Sequence, residues 1–147
     1  FGGALVTMTE AGGVPLLTGA ETSNDVGIKT YDVNAVRNDF GEENPEVVTA
    51  FLRANEQFNE KWAADPEANN PIIATAAGME DVGNFLAGPT WFTFPTVDEQ
   101  LSDAWLGQSV GEVMLQQMTF FQEQGQIEAV ADDYDQFIDT SYLAAAK

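Results

Sequence analysis

The stretch from Gly27 to Ala54, GIKTYDVNAVRNDFGEENPEVVTAFLRA, leaves the chain few ways to fold. Tyr31 to Arg37 is a short run with apolar Val33, Ala35 and Val36, and it predicts a strand. Asn38-Asp39-Phe40-Gly41 is turn chemistry. Asn44-Pro45-Glu46 then opens a helix. Asn suits the cap, proline suits the first helical position because its missing N–H has no partner there, and glutamate meets the positive end of the dipole. Val47, Phe51, Ala54, Phe58 and Trp62 recur at three- and four-residue steps and form one apolar face. The order is therefore strand, turn, capped helix. Asp32 stands out as an acid near the start of a strand expected to be buried.

Elsewhere the punctuation is local. Ala4 to Thr9 predicts helix, stopped by Gly12-Gly13. Val14-Pro15-Leu16-Leu17 predicts a short edge strand, because proline cannot donate to a ladder. Thr18 to Asn24 is small and polar and reads as a loop. Asp65-Pro66 starts another helix, Pro71 is expected to break it, and Ile72 to Ala77 would form its own short helix ended by Gly78. Glu80 to Leu86 predicts a further short helix closed by Gly88-Pro89. Trp91 to Pro95 reads as an extended aromatic connection. Thr96-Val97-Asp98-Glu99 is a capping box, with the helix running to about Gly107. Gln108 to Gln124 carries the stripe Val110, Met114, Met118, Phe121 and ends at Gly125. The acidic tail is irregular, with a last helical turn at Tyr142 to Ala145.

The 147 residues carry 24 acids against 5 bases, a formal charge of −19. A nucleic-acid partner is excluded, since phosphate binding needs clustered Lys and Arg. The acidity fits a strongly solvated surface, with attraction of a cationic ligand as the sharper alternative. There is no Cys and no His, which removes disulfide and thiol chemistry and the commonest general base and metal ligand. No apolar run is long enough to suggest a membrane span.

Two segments resemble a known family. Thr30, Asp32, Val36, Arg37, Asp39, Phe40, Pro45, Glu46, Val47, Val48, Ala50 and Phe51 match one pattern; Phe121, Glu123, Gln124, Gly125, Ala129, Val130, Asp133, Tyr134 and Gln136 match a second, in the right order. They look like the taurine-binding proteins of ABC importers, within a group that also takes up alkanesulfonates, nitrate and thiamine precursors. The resemblance implies an α/β fold of the type II periplasmic-binding-protein kind, in which this segment is mostly helical with a few strands. Residues 1–25 would end the second lobe and form the crossing loop. Residues 26–147 would be the C-terminal part of the first lobe. The missing N-terminal half of the same protein would complete the fold. Lobe closure around a small-molecule ligand would exclude water, and an ABC transporter permease would be the partner. The location implied is periplasmic or extracytoplasmic, with no enzymatic activity and no cofactor.

The resemblance also assigns a site. The acid matching Asp32 accepts hydrogen bonds from the ligand's ammonium; without the resemblance, Asp32 would read as an exposed edge residue. Phe1 takes the place of a cleft-lining Trp and could add a cation–π contact, or simply start a helix core. Thr30 and Tyr31 flank Asp32 as further candidate ligand contacts: the Thr30 hydroxyl is better placed by alternation, and Tyr31 reaches the ligand only where irregular backbone exposes both sides. Where the family has W-G-A-P, this chain has Val26-Gly27-Ile28-Lys29, which leaves the ligand open; Lys29 would meet an anionic group or stay at the surface. Trp91, Phe92 and Phe94 read as core packing before an aromatic cage. Asp132, Asp133, Asp135 and Asp139 lack the glycine and closing glutamate of a calcium loop and read as a solvated tail. The family group includes histidine-consuming synthases, and with no His nothing here supports that enzyme class.

Overall fold

Pro45 begins the longest helix of the computed structural model, which describes residues 3–80, 82 and 92–147. In chain order the helices are α1 (Gly3–Glu10), α2 (Gly19–Val26), α3 (Asn38–Glu43), α4 (Pro45–Ala64), α5 (Pro66–Ala77), α6 (Val97–Gln100), α7 (Ser109–Glu123) and α8 (Ser141–Ala146), with a 3-10 turn at Asp135–Phe137 before the last. The α/β expectation is met in its helical part; the described residues contain no strand. Val14–Leu17 and Tyr31–Arg37 were both predicted as strands. Among the described residues neither is paired in a ladder, which a strand needs to satisfy its backbone groups.

The chain divides into two compact units, residues 1–29 with 57–94 and residues 30–56 with 95–147. In the first unit the expected loop at 18–24 is the helix α2. Thr18 Oγ1 accepts the Glu21 N–H at 3.2 Å, and Glu21 accepts from the Thr18 backbone N–H at 2.7 Å. This is the same capping box as the one predicted at Thr96, placed in a run too polar to advertise a helix. Gly27, at φ +73°, closes α2 in the left-handed region glycine favours.

Helix α5 continues through Pro71 where a break was expected. Its flanks are held to α4 from outside the helix ladder. Buried Asn69 donates to the Lys61 and Asp65 carbonyls at 3.2 and 2.7 Å, and Trp62 Nε1 donates to Asn70 Oδ1 at 2.9 Å. Those tertiary bonds offset the hydrogen bond that proline forfeits. Asp65 caps the helix through the Ala68 N–H as the sequence predicts. Phe94 meets Trp62 edge-on at 5.1 Å and lies 6.3 Å from Phe92, but it is 43% exposed, so these ring contacts lie at the surface and not in the core expected for this run. Phe1, Trp91 and nearly all of the predicted Glu80–Leu86 helix lie outside the described residues.

In the second unit the buried apolar side chains are Val48, Val110, Val113, Leu143 and Ala146. They come from α4, α7 and α8. The anticipated α7 stripe is oriented correctly, with Val110 buried and Met114, Met118 and Phe121 half-buried. The α4 stripe is not. Val47 and Phe51 are 48% and 54% exposed, and their neighbour Val48 is the one buried. Helix α6 stops at Gln100, short of Gly107, and the chain continues in turns tied by Ser102 Oγ donating to the Glu99 carbonyl at 2.6 Å. The expected turn at Asn38–Gly41 is the short helix α3. In the tail, Asp133 and Asp139 accept the N–H groups of Asp135 and Ser141, each at 2.8 Å, so both act as turn caps.

The two ends of the second unit each yield a prediction. Gly111 sits against the 3-10 turn, where an added Cβ would overlap the Asp135 carboxylate and lie 3.4 Å from the Asp135 backbone nitrogen. Gly111→Val should destabilise by about 1–3 kcal/mol in chemical denaturation. Gly111→Ala should cost less, because the Asp135 side chain can turn away, and adding Asp135→Ala should recover part of that loss. At α6, the Thr96 backbone N–H and then its hydroxyl hold the Glu99 carboxyl below its usual range. A depressed carboxyl contributes stability above its unfolded pKa, and that contribution is lost as pH falls through the folded value. The capping box should therefore weaken below about pH 4.3, the ordinary glutamate value. Glu99→Gln should remove that part of the acid dependence in a pH series of melting temperatures, while leaving the profile above neutral pH parallel to the parent's.

Candidate functional site

Thr30 to Val36 runs extended from the point where the chain passes from the first unit into the second to the start of α3. One side chain fixes it. Tyr31 is half-buried; its hydroxyl and Ser109 Oγ are 2.8 Å apart, and its ring meets Trp105 edge-on at 5.3 Å. Neither Ser109 nor Trp105 was connected to Tyr31 by the sequence, and at a separation of 78 residues no local signal could have done so. The aromatic pair is worth about 0.5–1.5 kcal/mol beyond its buried area. It anchors the segment at the residue beside the candidate acid.

Asp32 and Thr30 are exposed. Among the described residues the Asp32 carboxylate makes no hydrogen bond or ion pair, so it remains available to an external donor. Thr30, Tyr31 and Asp32 are neighbours by sequence; Tyr31 is spent on its contacts with Ser109 and Trp105. Phe1, the fourth candidate, lies outside the described residues. Lys29 is half-buried.

Further along, Ala35, Val36, Arg37, Asp39, Phe40 and Glu43 line an open groove of about 390 Å³. Arg37 and Asp39 form a bidentate ion pair at its rim. The guanidinium, and then the Phe40 N–H, hold the Asp39 carboxyl below its usual range. Asp39 is thus already neutralised, unlike Asp32. No cluster of three or more metal-ligating side chains occurs among the described residues. Nor is any described helix long and apolar enough to cross a membrane.

The extended segment thus carries Asp32, without a partner among the described residues, next to the anchored Tyr31. No family model matches the chain. Its sequence is similar to that of a periplasmic binding protein, with 31% identity over 87% of this chain. That relative is the taurine-binding periplasmic protein of Escherichia coli (strain K12), and the chain spans 41% of its length.

Proposed function

We propose that the chain is part of the solute-binding component of an ABC importer, which captures a small amine-bearing solute such as taurine or a related sulfonate outside the cytoplasm and delivers it to a membrane permease. The observation that carries this reading is Asp32, an exposed carboxylate without a partner among the described residues, in a T-x-D segment shared with the taurine-binding group. An ammonium supplies the charged donor that such a carboxylate lacks. Thr30 offers a hydroxyl beside it, Tyr31 sets the backbone, and Phe1 supplies a ring. Residues 1–25 and 26–147 belong to different lobes in this reading. The ligand's anionic end is met by backbone N–H groups and hydroxyls of further polypeptide, of the kind the relative carries beyond the matched span. The role is binding, not catalysis.

A second reading keeps the protein class and changes the solute to an alkanesulfonate, nitrate or a thiamine precursor. The departure at Val26-Gly27-Ile28-Lys29 favours it. Equilibrium dialysis of the protein at its natural length against taurine, an amine-free alkanesulfonate, nitrate and an aminopyrimidine separates the two. Preferential retention of taurine supports the first reading. Retention of one of the others in its place supports the second, and retention of none contradicts the binding role.

A further inference from the structure

We infer that Ser109 and Trp105 are positioning residues for capture at Asp32: from the turn ahead of α7 they grip Tyr31, and so fix the backbone of Thr30 and Asp32 before a ligand arrives. That role rests on the binding-protein reading of Asp32. It brings into the site two residues that no motif connects with it.

The segment has one hold. Of residues 30–40, every one but Tyr31 is exposed. Residues 30–36 are neither helical nor paired in a ladder, and among the described residues their backbone makes no hydrogen bond. Tyr31 carries the hydrogen bond and the ring contact that tie this run to the rest of the unit.

The other end of the grip is stiff. Ser109 is buried, at 9% exposure, and its Oγ lies 2.8 Å from the Tyr31 hydroxyl. The same hydroxyl donates to the Ala104 carbonyl at 3.5 Å. The turn that carries these groups is closed by its own backbone. The Ser109 N–H donates to the Asp103 carbonyl and the Val110 N–H to the Trp105 carbonyl, each at 3.0 Å. The Gly107 N–H donates to the Ser102 carbonyl at 3.0 Å, and a Cβ on Gly107 would lie only 2.9 Å from that carbonyl, so the turn has no slack. Its position passes through Tyr31 to Asp32, one peptide unit away, about 3.8 Å between Cα atoms. Buried Ser109 acts through Tyr31 and not on the ligand. A segment that must be ordered at the moment of binding loses affinity by that ordering, and one fixed beforehand does not.

Backbone 15N relaxation and taurine titration of the natural-length protein, at a temperature where every variant is folded, test this together. Ser109→Ala should lower the order parameter of the Asp32 amide by about 0.2, from the rigid range toward the flexible one. It should weaken taurine binding about 3- to 10-fold, the effect of losing one such hydrogen bond. Ser109→Thr keeps the hydroxyl and should restore most of both. Tyr31→Phe breaks the same bond from the other side and should match Ser109→Ala, with little added when the two are combined. Leu143→Ala should lose stability and leave both readings at the parent's values. An unchanged Asp32 order parameter in Ser109→Ala and Tyr31→Phe overturns the inference. An equal fall in Leu143→Ala overturns it too, because the effect is then one of stability alone. A lower order parameter with unchanged taurine affinity sinks the positioning role and leaves the ligand reading intact. A parent that binds no taurine sinks the ligand reading, and the order parameters then decide the grip by themselves.

Discussion

Leu143→Ala should lower the stability of the second unit by about 2–5 kcal/mol, the cost of truncating a buried leucine with only partial relaxation of its surroundings. Leu143 is 4% exposed and lies on α8 with equally buried Ala146, three residues on. This short helix cannot persist by propensity, since six residues make less than two turns. It is held by side chains reaching in from elsewhere. Arg53 Nη2 donates to the Ala145 carbonyl at 2.9 Å and Arg53 Nε to the Ala146 carbonyl at 3.3 Å, satisfying two carbonyls that no helical N–H reaches. A Cβ on Gly41 would lie 3.0 Å from the Tyr142 hydroxyl, so α8 also packs closely on α3. Arg53→Met should therefore cost about 1–2 kcal/mol, and less in the background of Leu143→Ala if α8 has already come away. Urea denaturation followed by tryptophan fluorescence reads both. A loss under 0.5 kcal/mol for Leu143→Ala would mean that α8 is not docked as described.

Asp32→Asn should weaken binding of an amine-bearing ligand by about 1.5–3 kcal/mol, or roughly 10- to 150-fold. The substitution keeps the size of the side chain and removes its charge. It leaves a carbonyl acceptor but adds an NH2 that faces the ammonium as a second donor. Because Asp32 is exposed and unpaired among the described residues, the fold should be indifferent to the change, and the melting temperature should move little. Loss of binding without loss of stability is what separates a ligand contact from a structural acid. Tyr31→Phe is the useful contrast. It removes the bond to Ser109 while keeping the ring on Trp105, so it should loosen the segment by about 0.5–1.5 kcal/mol of stability without selecting among ligands by charge.

Much of this arrangement was legible in the chain. The helix start at Pro45, the caps at Asp65 and Thr96, the glycine stops at Gly78 and Gly125 and the buried face of α7 all follow from short-range chemistry, and the structure has them; the Asn44 side chain, expected to cap α4, instead donates to the Phe40 carbonyl. Helix α2 lies in a run whose polarity masks it, although Thr18 and Glu21 carry the same spacing as Thr96 and Glu99. The continuity of α5 through Pro71 could not be read locally. It depends on Asn69 reaching the Lys61 carbonyl and Trp62 reaching Asn70 across two helices. The two predicted strands show the opposite limit. Their apolar alternation is a statement about what the residues can do, and a strand forms only where another segment takes up its hydrogen bonds. The same holds for the α4 face, whose period is correct and whose cover is absent among the described residues. At the site, adjacency in sequence accounts for Thr30, Tyr31 and Asp32 lying together, and the anchoring of Tyr31 by Ser109 and Trp105 is a tertiary fact that spacing does not encode.

The measurement that bears most directly on the proposed role is calorimetric titration of the natural-length protein with taurine and with an amine-free alkanesulfonate, each repeated on Asp32→Asn. Taurine should bind the parent, lose at least tenfold in affinity on the substitution, and do so while the amine-free sulfonate is unaffected. If both ligands weaken equally, or if neither binds and the substitution is silent, Asp32 is not the ammonium site and the amine-capture account fails.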